Sequence, residues 1–290
     1  MSVVVVTDSS ACLPAQWCHR WGIRTVPLHV LLDGVDLRDD SDAVPADIYA
    51  RERVTTAGAS PDELGEAYRA ALDHSAGSGV VAVHISSELS GTFGAALQAA
   101  RQFGPDICVI DSRSAAMGTG FCALAAARVA AGGADLPAVA AAVDPARVHA
   151  YLVVQRLDNL RRSGRIGGAA AWLGTALSLK PLLAVDDGKL VLAQRIRTSG
   201  KAVASMIDRV CDSVGDRPAA LAVHHVANPR GAQDVAAALA ERLPDCRPAV
   251  ITALCPTLAL HVGAGALAVC IDAGADVAPL VGASDGGAGG

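Results

Sequence analysis

Aromatic residues are almost missing: three Trp, three Tyr and three Phe supply only 3% of the 290 positions. The chain is nevertheless 52% hydrophobic, with mean hydropathy +0.37, so its apolar content is mostly Ala, Val and Leu. No uninterrupted apolar run reaches the roughly 18 residues that a membrane-spanning helix requires. The opening MSVVVVTDSS carries no basic segment and meets Asp8 at once, so no secretory signal is expected there. Positive charge is not in excess either. A net charge of −5 and a pI near 5.9 argue against nucleic acid as the main partner.

Several signatures of chemistry are also absent. The eight cysteines (Cys12, Cys18, Cys108, Cys122, Cys211, Cys246, Cys255 and Cys270) form no CxxC pair, which excludes a zinc ribbon or a dithiol redox centre. Most sit in apolar segments such as DICVID and ALAVCID, as small buried hydrophobes in a reducing cytoplasm. There is no GxGxxG and no GKS or GKT, so no cofactor is expected. A serine hydrolase should show GxSxG or an equivalent elbow, and LSGT at 89–92 lacks it. His224-His225 have no Cys or carboxylate at ligand spacing. A zinc site needs three or four ligands, so this pair is read as structural, with no metal.

What is present is an alternation. SVVVVTD precedes a helical stretch from Pro14 towards Trp21. SPDELGEAYRAALDHSA reads as a helix with Ser60 and Glu63 as a capping box and Pro61 in its first position. GVVAVHIS with GAALQAARQF, then DICVIDS with an Ala-rich helix over 115–132, repeat the strand–helix order. Such alternation implies a parallel sheet covered by helices on both faces. The second half runs through LDNLRRSGRIGG, an apolar helix AAAWLGTALSL, and a hairpin turning at Asp187-Gly188. A further helix–strand series includes the strands PAALAVHHVA and PAVITAL. The expected organisation is an α/β chain of two domains: 1–148 with a parallel sheet, 149–281 with a mixed sheet, and a disordered tail at 282–290.

Ligands of parallel sheets bind at the carboxyl ends of the strands. Here TDSSACLP (7–14), ISSELSGT (85–92) and IDSRSAAMG (110–118) all end strands in hydroxyl-rich turns, and TTAGAS (55–60) would join them on one edge. Ser86, Ser87, Ser90 and Thr92 sit where a strand hands over to a helix. They serve either as helix caps or as donors to a phosphate or carboxylate. Asp8 and Asp111 orient the neighbouring Ser9, Ser10 and Ser112 through Asx-type hydrogen bonds.

Arginines and one histidine extend the candidate site. Arg161, Arg162 and Arg165 stand beside three glycines in LRRSGRIGG, suited to a carboxylate or phosphate or else to a solvated helix end. Arg195 and Arg197 share one strand face, with Ile196 opposite. In LALHVGAGAL, His261 is flanked by apolar residues, a setting that usually means a satisfied core histidine. Gly263 and Gly265 tilt it towards function by allowing close approach to the imidazole.

Taken in order, VVVVTDSSACLP, TTAGASPDELGEAY, HISSELSGTFGAALQAA, VIDSRSAAMGTG, LDNLRRSGRIGG, GTALSLKPLLAVDDGKL, RIRTSGKA and LALHVGAGAL resemble the DegV family of bacterial fatty-acid-binding proteins. The resemblance implies one long-chain fatty acid between two α/β domains, its carboxylate at the junction and its tail in an apolar tunnel. It also implies a non-catalytic, cytoplasmic subunit that presents the acid to a separate kinase, related to dihydroxyacetone kinases, for conversion to acyl phosphate. A transient membrane contact would serve lipid exchange. On this resemblance Thr56, Ser90 with Gly91 and Thr92, and His261 match carboxylate-binding positions. Arg165 and Arg197 match arginines near the head group or facing the kinase.

Departures from the family pattern are Ala57, Gly58 and Ala59 for Ser, Gln and Pro, Leu260 for Thr, and Ala264 for Pro. They remove polar and rigid groups around the head-group site. The alternative from another class is a hydrolase, an esterase or phosphatase using Ser90 and His261 at the same polar edge.

Overall fold

A computed structural model of the protein describes residues 2–45, 47, 48, 51, 53–166 and 180–274. The first half contains β1 (Val4–Asp8), α1 (Ala15–Trp21), β2 (Arg24–Val26), β3 (His29–Leu32), β4 (Val35–Arg38), β5 (Val54–Ala57) and α2 (Pro61–Ser75). It continues with β6 (Val80–His84), α3 (Thr92–Ala100), β7 (Ile107–Asp111), α4 (Met117–Ala131) and α5 (Leu136–Ala141). Strands in the order β2-β1-β6-β7 form an all-parallel sheet, as the alternation implies. Every residue of β6 is buried, the mark of a strand covered on both faces. Val6, Val80 and Ala82 pack on α2 and α3, while Val5, Val81 and Val83 pack on α1, α4 and α5. This is the period-2 consequence of the pleat.

The second half contains β8 (Val148–Val153), α6 (Asp158–Ser163), β9 (Leu182–Asp186), β10 (Lys189–Gln194), α7 (Ser199–Val214) and β11 (Ala219–His225). Then follow α8 (Pro229–Arg242), β12 (Val250–Ala253), α9 (Pro256–Val262) and β13 (Leu267–Ala273). Their sheet runs β10-β9-β8-β13-β11-β12, with only the β11–β12 pair parallel. α7 and α8 cover one of its faces. The expected hairpin is present: Asp187 (φ 48°) and Gly188 (φ 80°) turn β9 into β10 with the two positive φ values of a type I′ turn.

α4 lies between the two sheets. Its buried residues run unbroken from Met117 to Leu124, and its cluster joins Val81 and Val83 of the first sheet to Ala150, Ala220, Ala222 and Cys270 of the second. An Ala-rich helix with no polar face is what such a position requires. A Cβ on Gly120 would lie 2.9 Å from the Ala11 carbonyl oxygen, so the absence of a side chain lets the layers close. The start of α4 is pinned from the second sheet, because the Met117 amide donates to His224 Nε2 at 3.2 Å. Thr252 Oγ1 lies 2.8 Å from the other ring nitrogen. His224 is thus a satisfied core histidine, held neutral by burial that pushes its pKa down to about 4.

Three findings differ from the sequence expectations. TTAGAS is not only a loop: Val54–Ala57 is an edge strand of a small antiparallel sheet, β4-β3-β5, with Thr56 opposite Val30. These four-residue strands are too short for an alternating pattern to stand out. Second, only Cys122 and Cys270 of the eight cysteines are fully buried, and the other six are half-buried; all are free thiols. Third, α3 is capped at Gly91 with no side-chain cap bond. By contrast the α2 capping box is complete: Ser60 Oγ accepts from the Glu63 amide at 3.2 Å and Glu63 accepts from the Ser60 amide at 2.9 Å. The apolar helix expected in AAAWLGTALSL and the tail at 282–290 lie outside the described residues. Among the described residues, no helix is long and apolar enough to cross a membrane.

Candidate functional site

A cavity of about 150 Å³ opens where the carboxyl ends of β6 and β7, the small sheet and helices α6 and α9 meet the second sheet. Its walls are mainly aliphatic, with Leu28, Ile85, Leu152, Leu190 and Leu258 among them. Its polar lining includes Thr56, Ser90, Arg165 and His261. Thus Thr56, Ser90, Gly91, His261 and Arg165, which come from four separate stretches of sequence, line one space.

Thr56 Oγ1 and His261 Nε2 share a hydrogen bond of 3.0 Å across 205 residues of chain. Burial, helped by the Arg165 charge, pushes the His261 pKa down to about 4. The imidazole is therefore neutral at pH 7, with one ring nitrogen able to accept. Ser90 Oγ shares a 2.9 Å bond with Thr92 Oγ1 and accepts from the Thr92 amide at 3.2 Å. Thr92 is fully buried and stands behind Ser90, outside the lining. Gly58 explains how: a Cβ there would lie 2.5 Å from Thr92 Oγ1, so the bare backbone at Gly58 packs directly on the hydroxyl pair.

Arg165 sits exposed at the rim. Its guanidinium donates to the Ser163 carbonyl at 2.5 Å and to the Leu89 carbonyl at 3.4 Å, tying the α6 turn to the 85–92 loop. Arg197 does not join it. The expected alternation holds, with Ile196 buried and Arg195 and Arg197 exposed, but that places Arg197 outside the cavity wall. The glycines after His261 also serve a different purpose from the one expected. At φ 80° and 78°, Gly263 and Gly265 pack against Asn159 and Gln155, where a Cβ would come within 2.8 Å of each side chain. They seat the end of α9 on the α6 segment instead of clearing the imidazole.

The acids and neighbouring serines of the turns hold this edge in place: Asp8, Ser9, Ser10, Asp111 and Ser112 are not on the cavity wall. Asp8, fully buried, accepts from the Ser10 amide (3.1 Å) and hydroxyl, from His84 Nδ1 (2.9 Å) and from the Ile85 amide (3.0 Å). His84 Nε2 meets Tyr68 OH at 2.9 Å, completing a buried chain from α2 to β1. Ser9 Oγ accepts from the Leu28 amide at 2.9 Å, fixing a wall residue. Asp111 makes its Asx-type bonds to backbone, accepting from the Arg113 amide (2.8 Å) and the Ser87 amide (3.2 Å), and does not orient Ser112 as expected: Ser112 Oγ meets Thr119 Oγ1 at 2.9 Å instead. From the other half, the Gly188 carbonyl accepts from Ser86 Oγ at 2.8 Å and Asp187 pairs with Arg113. The hairpin tip therefore latches onto the same loop that carries Ser90.

Sequence reasoning missed Thr257, whose side chain lies on the wall and is 5% exposed. The available signal was its spacing: Thr257, Leu258, His261 and Val262 recur at i, i+1, i+4, i+5 on one face of α9.

Residues 2–273 match the model described as "Uncharacterised protein, DegV family". A DegV domain-containing protein of Mycobacterium tuberculosis is 67% identical over 277 residues, covering 95% of this chain and 99% of that protein. Among solved structures, one reported as "Fatty Acid Binding of a DegV family Protein from Thermus thermophilus" is 32% identical with a TM-score of 0.85, covering 94% of this chain and all of that one. DegV of Bacillus subtilis, described as a fatty acid binding protein, is 28% identical with a TM-score of 0.84, covering 93% and 99%. The parallel sheet and the mixed sheet are thus shared with relatives whose structures are described as fatty-acid-binding. With a family match over nearly its whole described length and relatives aligned end to end, this chain belongs to the DegV family.

Proposed function

We propose that this chain is a carrier for a long-chain fatty acid. The carboxylate lies beside Thr56, Ser90, Gly91 and His261, and the acyl tail is buried along the aliphatic walls. The observation that carries this reading is the character of the cavity: aliphatic over most of its wall, with hydroxyls and an imidazole brought together at the junction. A C16 tail buries about fifteen methylenes at about 0.8 kcal/mol each, a gross gain of roughly 12 kcal/mol. Each hydrogen bond to an ionised carboxylate adds about 1.5–3 kcal/mol against a desolvation cost of similar size. The tail sets affinity and the head group sets orientation.

The carrier acts in the cytoplasm, exchanging lipid through transient membrane contact, and presents the carboxylate to a separate ATP-using kinase of the dihydroxyacetone-kinase type, which would form the acyl phosphate. Arg161, Arg162 and Arg165 are exposed around the α6 turn and suit a phosphate-bearing partner. The hydrolase alternative is disfavoured by the hydrogen bonding. His261 pairs with Thr56 and Ser90 with Thr92, and no carboxylate among the described residues orients the imidazole. A histidine with a pKa of about 4 is a weak general base at neutral pH.

The test is denaturing extraction of the purified protein with mass spectrometry of what is released, beside the Thr56→Ala/His261→Ala variant. A near-stoichiometric fatty acid, depleted in the variant, is the expected result. No lipid even after incubation with a panel of fatty acids would refute the carrier reading. Turnover of small esters or phosphates abolished by His261→Ala would favour the hydrolase.

A further inference from the structure

The spacing of the cysteines allows no dithiol between near neighbours in sequence, but folding makes one from distant residues. Cys12 closes the short turn after β1, at a left-handed φ of 49°. Cys255 is the residue that starts α9. Across 243 residues of chain, the Cys255 amide donates to Cys12 Sγ at 3.4 Å. The Cys255 thiol hydrogen-bonds to Cys12 as well, and that bond, with burial next, pushes its pKa well above the ordinary thiol range. The two thiols therefore lie side by side, the approach that a disulfide requires. Both residues are half-buried, and neither lies on the cavity wall. Cys270, which shares a core cluster with Cys12, turns instead to the Ala115 carbonyl at 3.8 Å. The pair is also asymmetric. Cys12 gives its own proton to the Ser10 carbonyl at 3.4 Å and receives both donors of Cys255. Donors aimed at a sulfur stabilise the negative charge that it carries when it attacks. Cys12 is thus placed to react first with an oxidant, and Cys255 to resolve the product.

We propose that Cys12 and Cys255 form a modification site, oxidised by a peroxide to a disulfide that fastens α9 to the first half of the chain. Cys12 loses its proton and its sulfur attacks one peroxide oxygen. An S–O bond forms, the O–O bond breaks, and the second oxygen leaves as water with that proton. The Cys255 sulfur then attacks the Cys12 sulfur. The S–S bond forms, the S–O bond breaks, and hydroxide leaves as water with the Cys255 proton. Two electrons pass from the two thiols to the peroxide. In a reducing compartment such a bond is transient, since dithiols reverse it. Its consequence follows from where α9 lies. Leu258, His261 and Val262 of this helix line the cavity, so a bond at its first residue holds that wall against the turn after β1. On the carrier reading, the oxidised protein exchanges its fatty acid more slowly.

The test uses the full chain, reduced and then treated with hydrogen peroxide, alkylated, digested and mapped by mass spectrometry. The expected product is a peptide pair joined through Cys12 and Cys255, separated again by dithiothreitol. In Cys255→Ser, Cys12 should stop at the sulfenic acid and be trapped by dimedone; in Cys12→Ser, no joined pair should form. The oxidised native protein should melt about 5 °C higher than the reduced one, and peroxide should leave the midpoint of either variant unraised. With palmitate bound, release should slow severalfold on oxidation in the native protein alone. Free Cys12 and Cys255 after other cysteines have oxidised would overturn the proposal, as would Cys12 joined to Cys270. A joined pair with an unchanged midpoint and unchanged palmitate release would overturn the fastening of α9. Failure of the reduced protein to bind any fatty acid would remove the carrier reading, while the peptide map and the midpoint would still decide the disulfide.

Discussion

Acidifying the ligand-free protein should unfold it partly through His261. The free imidazole titrates near 6.5, and in the folded chain burial, with the Arg165 charge, brings it down to about 4. Between those two values the unfolded chain binds a proton that the folded chain refuses. Stability conferred by this site is therefore complete above about pH 6.5 and is lost as pH falls towards 4. The loss is about 2 kcal/mol at pH 5 and reaches about 3 kcal/mol at its limit. His224, lowered to about 4 by burial in the second sheet, adds a similar loss in the same window. His29 works the other way. Burial lowers its pKa, but hydrogen bonding to Asp36 and the charges of Glu63 and Asp36 outweigh that, and the net shift is upward. Its stabilisation is complete below about pH 6.5 and fades as pH rises through its folded value.

The assay is urea unfolding at pH 7.5 and 5.0 for the native protein and His261→Asn. The native protein should lose about 2 kcal/mol more than the variant between the two pH values. Equal losses within about 0.5 kcal/mol would refute the half-buried, neutral His261. Bound palmitate should shrink the difference, since a carboxylate beside the ring draws its pKa back up.

Two other perturbations test the frame around the site. Gly188→Ala would place a Cβ 2.4 Å from Ser86 Oγ at a backbone φ of 80°. It should lower stability by about 2–3 kcal/mol, combining left-handed strain with a lost hydrogen bond; an unchanged thermal midpoint would show that the hairpin tip does not latch the 85–92 loop. Tyr68→Phe leaves the fully buried His84 without its Nε2 partner and should cost about 1–3 kcal/mol in chemical unfolding. A neutral result would mean that water replaces the phenol.

Local pattern was enough for much of the architecture. The all-apolar run of β6, the Ser60–Glu63 box with Pro61, and the Asp187-Gly188 turn each announce themselves within a few residues. Steric limits on φ and ψ, helix-end hydrogen bonding and the two side-chain periods act over that same range. The small β4-β3-β5 sheet was not legible, because strands of four residues carry too little pattern.

The site divides along the same line. Composition and turn chemistry marked the hydroxyl-rich strand ends, and Thr56, Ser90, Gly91, Arg165 and His261 all reached the cavity. Nothing local could show that Thr56 would meet His261, 205 residues away, or that Thr92 would stand behind Ser90 while Arg197 turned outward. Nor could it show that Gly263 and Gly265 answer to Asn159 and Gln155. Thr257 drew no notice as one hydroxyl in a short helix; it became conspicuous only when packing left it buried without a partner. The sequence by itself determined the elements, their caps and turns and the polar character of one edge, because those follow from neighbouring residues. Which side chains share the cavity was decided by the close packing of two sheets around α4, a property of the whole folded chain.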